Sequence, residues 1–112
     1  MIDTNYVGSI VKILEIPEQK LINENNIPTL KIRAQLSQFR GTKIINLSFW
    51  GNLAYDVANY YKINDYILIE GYLTQLGEEF NEFTQKKLKK IEITVSKIYP
   101  ISFSSNNSIK KI

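Results

Sequence analysis

At 112 residues and 13.0 kDa, with a net charge of +3, the chain has room for one domain and one core. Its 44% hydrophobic and 22% charged residues suit a folded chain, and no apolar run approaches the ~20 residues that a membrane-spanning helix needs. It has neither cysteine nor histidine, which excludes disulfide frameworks, Cys/His zinc sites, thiol nucleophiles and Ser-His-Asp triads.

The opening Met1-Ile2-Asp3-Thr4 lacks the basic and apolar segments of a secretory signal. Residues 5–16 are rich in β-branched types and read as a strand closed by Pro17. Residues 17–28 are polar, with two prolines and an Asn-Asn pair, and read as a loop. Residues 29–38 alternate: Leu30, Ile32, Ala34 and Leu36 share one face, and Lys31, Arg33, Gln35 and Ser37 the other, as in a half-buried strand. Arg40-Gly41-Thr42 reads as a tight turn. Residues 43–50 form the third strand, with Ile45, Leu47 and Phe49 facing the core and Ile44, Asn46, Ser48 and Trp50 facing out.

Residues 52–62 change to helical spacing. Leu53, Ala54, Val57, Ala58 and Tyr61 line one stripe, and Asn52 is placed to cap the start. Asn64-Asp65 ends the helix. Residues 66–74 read as a strand in which Gly71 marks a bulge or a bend. Residues 75–87 read as a hairpin loop. Residues 88–99 form the last strand, with Ile91, Ile93 and Val95 on its core face and Pro100 at its end. Residues 1–101 thus form one domain, and 102–112 a Ser/Asn/Lys tail expected to be disordered. The order predicts an all-β fold: a five-stranded barrel of the OB type, with one helix between the third and fourth strands.

Charge is uneven along the chain. Residues 84–112 carry seven lysines and the single acid Glu92, whereas residues 1–83 carry ten acids and seven basic groups. Such a basic segment suits either a polyanionic partner or a solvated strand face. The acids Asp3, Asp56, Asp65 and Glu70 are scattered, so no metal, cofactor or catalytic site is expected. Ile, Lys, Asn and Tyr make up 48 of the 112 residues, the mark of a strongly AT-biased genome such as an organelle or a reduced bacterium.

Four blocks fall in a fixed order: Phe49-Trp50-Gly51-Asn52-Leu53-Ala54, Val57-Ala58-Asn59-Tyr60, Asn64-Asp65 and Ile69-Glu70-Gly71-Tyr72-Leu73. With the closing Ile91-Glu92-Ile93-Thr94-Val95-Ser96-Lys97-Ile98, this pattern resembles the bacterial-type single-stranded DNA-binding proteins over roughly residues 4–101. Size and AT bias are most similar to those of a plastid-encoded relative of the kind found in algae. The alternative is the cytoplasm of an AT-rich bacterium. The resemblance implies sequence-independent binding of single-stranded DNA in replication, recombination or repair, without catalysis, by a homo-oligomer, a tetramer or a dimer. The first strand, long and apolar, is the expected oligomer edge.

Residue by residue, Trp50 falls on the family's aromatic at the end of the third strand. Ile44 falls where a stacking tryptophan often sits, and Phe39 is the counterpart of another aromatic. With these, Arg40, Lys31, Arg33, Asn46, Lys86 and Lys87 complete the candidate nucleic-acid site. Phe80 and Phe83 sit among Glu78, Glu79 and Glu82, whose charge repels phosphate, and read instead as a hairpin tip or subunit contact. The chain's ending, Ser108-Ile109-Lys110-Lys111-Ile112, lacks the acids of the family's protein-docking tail, so that docking is expected to be absent. The isoleucine at 44 and the basic tail leave open a second reading, a structural OB module with a decayed site, kept for protein contacts.

Overall fold

The computed structural model describes residues 5–38, 41–83 and 85–101. In chain order the elements are β1 (Tyr6–Ile13), α1 (Pro17–Lys20), β2 (Leu21–Glu24), β3 (Ile27–Gln38), β4 (Gly41–Trp50), α2 (Asn52–Tyr60), β5 (Tyr66–Asn81) and β6 (Lys86–Pro100). The strands hydrogen-bond in the order β1-β5-β6-β4-β3-β2, and a further antiparallel pairing of β1 with β3 closes the sheet into a ring. All pairs are antiparallel except β4 with β6, which run parallel through Asn46–Glu92, Leu47–Ile93 and Ser48–Thr94. The ring of β1, β3, β4, β5 and β6 is the expected five-stranded barrel, with α2 between its third and fourth members.

Alternation places the core. Val11 and Ile13, Leu30, Ile32 and Ala34, Ile45, Leu47 and Phe49, Ile67 and Ile69, and Ile93 and Val95 all point inward and are buried. Ala54, Val57 and Ala58 of α2 are also buried and close the barrel's end. Fully burying each large aliphatic contributes about 1.5–3 kcal/mol, so this interior is the main source of stability. Parity is enforced because a one-residue slip would turn every inward side chain to solvent.

Two glycines are demanded by geometry. Gly51, at φ 67°, makes the strand-to-helix corner, and its N–H donates to the Pro28 carbonyl at 2.8 Å. Gly51, not Asn52, is the N-cap; Asn52 is the first helical residue. Gly71 sits at a register shift between β5 and β6, as expected of a bulge, and a Cβ there would run into the Thr94 carbonyl oxygen.

Three stretches differ from the sequence expectation. The polar segment 17–28 is not plain loop: α1 leads into β2, which pairs with β3 from Leu21–Leu30 to Glu24–Ile27. Asn25 and Asn26, at φ 54° and 64°, make the two-residue turn, a left-handed pair that asparagine tolerates. The turn at 40–42 is narrower on its C-terminal side, because Gly41 and Thr42 pair with Gln38 and Ser37. Residues 75–87 are largely strand, paired from Gln75–Glu92 out to Asn81–Lys86. That backbone pairing carries both strands through a segment whose polarity alone suggests a loop. The expected tail, 102–112, lies outside the described residues.

Candidate nucleic-acid interface

The outward side of the barrel is as ordered as the inward one. Along β4 the outward positions are Ile44, Asn46, Ser48 and Trp50. Their partners on β3 are Gln35, Arg33, Lys31 and Thr29. On the other flank, β6 sets Glu92 beside Asn46 and Thr94 beside Ser48. Tyr72 of β5 lies opposite Thr94, and Tyr6 of β1 opposite Tyr72. One row therefore runs Lys31–Ser48–Thr94–Tyr72–Tyr6 across five strands, and a second runs Arg33–Asn46–Glu92.

Trp50 ends β4 immediately before the Gly51 corner, so the Gly51–Pro28 hydrogen bond fixes its backbone. It is 42% exposed, and Ile44, at the far end of the same face, is 49% exposed. An indole held on a rigid strand with one side free is a surface on which a planar ring can stack. Lys31 and Arg33 are exposed and supply positive charge along β3. Glu92 on β6 and Glu70 on β5 supply negative charge, the latter opposite Lys97, while the only charges at the outward β3 positions are Lys31 and Arg33.

Arg33 is partly engaged. Its backbone N–H donates to the Glu15 carboxylate at 2.6 Å, and its Nε lies 3.5 Å from the same group. Lys20 Nζ completes the cluster at 3.3 Å. Burial disfavours the Glu15 charge, but the Arg33 N–H and the two cations outweigh it and hold the carboxyl below its usual range. The carboxylate thereby extends the β1–β3 ladder past Ile13–Ala34, where β1 has ended.

The β1 side of the face is polar and self-contained. Tyr6 OH donates to Glu70 Oε1 at 2.6 Å, and this bond, with the adjacent negative charge, raises the Tyr6 pKa. The Tyr6 and Tyr72 rings meet edge-to-face at 5.1 Å. Thr94 donates to Thr74 at 3.0 Å. None of these five is a binding candidate from sequence; the parity of Thr94 between inward Ile93 and Val95 was the available signal.

The structure brings Trp50, Ile44, Asn46, Lys31 and Arg33 onto one face. Phe39 and Arg40 lie outside the described residues. Lys86 and Lys87 open β6 opposite Asn81 and Phe80, six and five residues from Glu92, or about 17–20 Å along the strand, so the register does not gather them with the other five. Among the described residues no group of His, Cys, Asp or Glu could hold a metal ion.

The closed ring, the parallel β4–β6 pair, the helix between β4 and β5 and the outward platform on β3–β4 define an OB-fold barrel. Solved structures share it. The single-stranded DNA-binding (SSB) domain of a Synechococcus protein matches at TM-score 0.66 and 20% identity, over 88% of this chain and 98% of that one. A small single-stranded DNA-binding protein from Streptomyces coelicolor matches at TM-score 0.71 and 12% identity, over 89% and 96%. No family model matches the chain. Among curated proteins, ycf41 of Trieres chinensis, provisionally named a single-stranded DNA-binding protein, is 39% identical over 105 residues, 90% of this chain and 92% of that protein. The protein of the same name from Pyropia yezoensis is 30% identical over 78 residues, 70% of each chain. The chain belongs to this ycf41 family, whose two relatives here come from algae.

Proposed function

We propose that the chain binds single-stranded DNA with little regard to sequence, as a non-catalytic protein of an algal plastid. The observation that carries this reading is the coincidence, on one rigid outward face, of the half-exposed Trp50 with the cations Lys31 and Arg33. Stacking contributes about 1–3 kcal/mol per base and accepts any base, while lysine and arginine contact the phosphates common to all sequences. Glu92 repels phosphate from the β6 side, whereas Glu70 has Lys97 opposite it, so the strand runs along β3 and β4. The names of the curated relatives and of the solved neighbours support the same activity.

The reading includes self-association through β1. From Tyr6 to Ile10, β1 pairs with β5 on one side, and its pairing with β3 is confined to Val11–Ile13. That leaves a five-residue edge, with Tyr6 and Ile10 exposed, which a second copy covers by antiparallel pairing. A dimer formed in this way, or a tetramer of two dimers, sets several DNA faces side by side.

Binding of labelled oligo-dT, with duplex DNA of the same length as competitor, tests the function. Capture of the single strand that excess duplex fails to reverse is the expected result; equal competition by duplex refutes it.

A further inference from the structure

Ser48 occupies the middle of the outward face, between Lys31 on β3 and Thr94 on β6, with Asn46 and Trp50 two residues away along β4. Flanked by these larger side chains, it is 1% exposed, and its Oγ has no hydrogen-bond partner among the described residues. A buried hydroxyl left without a partner destabilises a fold, and nearly all such groups are paired.

The chemistry of its neighbours narrows what would satisfy it. Thr94 donates its proton to Thr74 and makes no bond to Ser48. Lys31 carries only donors and cannot accept the Ser48 proton. An anionic oxygen would accept the Ser48 proton and also sit well beside the Lys31 ammonium group. On a face that also presents Trp50, the oxygen in question belongs to the backbone of a nucleic acid.

We propose that Ser48 is a phosphate-binding residue, acting with Lys31 as a hydroxyl–ammonium pair on the phosphate that adjoins the base stacked on Trp50. Lys31 faces Ser48 directly across the β3–β4 ladder, at the ~5 Å Cα spacing of an antiparallel pair, so both side chains reach one phosphate. The exposed, flexible Lys31 chain swings aside as the strand docks, and the Ser48 proton gains its acceptor. The free protein thus holds an unsatisfied group that binding resolves. This rests on the single-stranded DNA reading and specifies one contact within it.

The test compares wild type, S48A, K31Q and the double variant, each by melting temperature and by anisotropy titration of labelled oligo-dT across a salt series. S48A is expected to melt about 5 °C higher, because the orphan hydroxyl is gone, and to bind roughly tenfold more weakly with an unchanged salt slope. K31Q is expected to reduce the magnitude of the salt slope by about 0.7, since one fewer cation displaces counterions. The double variant should lose less than the product of the two single losses, because both groups hold one phosphate. If wild type binds and S48A binds equally well, the proposal is overturned. Strictly multiplicative losses also overturn it, by separating Ser48 from Lys31. Failure of wild type to bind at low salt is a different result, since it removes the DNA reading itself and this contact with it.

Discussion

Replacing Trp50 by alanine removes the one indole of the chain from the end of β4. A base stacked on it contributes about 1–3 kcal/mol, so W50A should weaken oligo-dT binding by roughly 5- to 150-fold. Because 42% of the residue is exposed, the part that packs on the barrel is smaller than that of a core aromatic. The loss of stability should therefore fall below the ~3–5 kcal/mol of a buried Phe or Trp truncation, leaving a folded protein to assay. Anisotropy of a labelled strand is the proper readout, since the variant has no tryptophan fluorescence. W50F should recover most of the affinity by keeping a ring on the platform. Tyr55 on α2 supplies the control: it is equally exposed at 43% but lies off the β3–β4 face, so Y55A should bind as wild type does. If W50A keeps full affinity while its circular dichroism matches wild type, or if Y55A loses as much, the β3–β4 platform is not the binding face.

Other expectations follow from the same geometry. I44W places a second ring on the outward face of β4 and should tighten oligo-dT binding by about 5-fold or more, measured by anisotropy. G71A forces a Cβ onto the Thr94 carbonyl and should cost about 1–3 kcal/mol in urea unfolding. E15Q should be less stable than wild type by about 1 kcal/mol at neutral pH. The folded-state pKa of Glu15 is depressed, so its contribution is present above the unfolded carboxyl pKa and disappears as pH falls through the folded value; the two melting curves should converge in acid. Light scattering at micromolar concentration should show a dimer or tetramer, and a 13.0 kDa particle would remove the β1 pairing.

The barrel was legible because its strands are half buried. Alternation in residues 29–38 and 43–50 names the inward residues, and burial then leaves a single register in which they fit. The helix was legible from its apolar stripe, and the Gly71 bulge from a glycine inside a strand. What escaped the reading lies where polarity and structure part company. The Asn25-Asn26 pair, read as loop, is a hairpin turn, and the missing cue was the two-residue spacing between Ile22-Asn23-Glu24 and Ile27-Pro28-Thr29. The β5–β6 arm carries so many charges that local composition mimics a loop, and only the cross-strand register reveals it as paired strand. On the site, parity alone placed Trp50, Ile44, Lys31 and Arg33 outward. Sequence could not place Lys86 and Lys87 on an arm, bind Arg33 to Glu15 across 18 positions, or reveal that Ser48, outward by parity, is sealed without a partner.

The most direct test of the central claim is a titration of the unlabelled protein with oligo-dT, following Trp50 fluorescence from low to moderate salt. Stacking of a base on the indole should quench the signal. With Lys31 and Arg33 both on phosphates, log K should fall with log salt at a slope of about −1.4 or steeper. A signal that does not change at low salt, or an affinity that stays flat as salt rises, would contradict a single-strand-binding face built on Trp50 and the β3 cations.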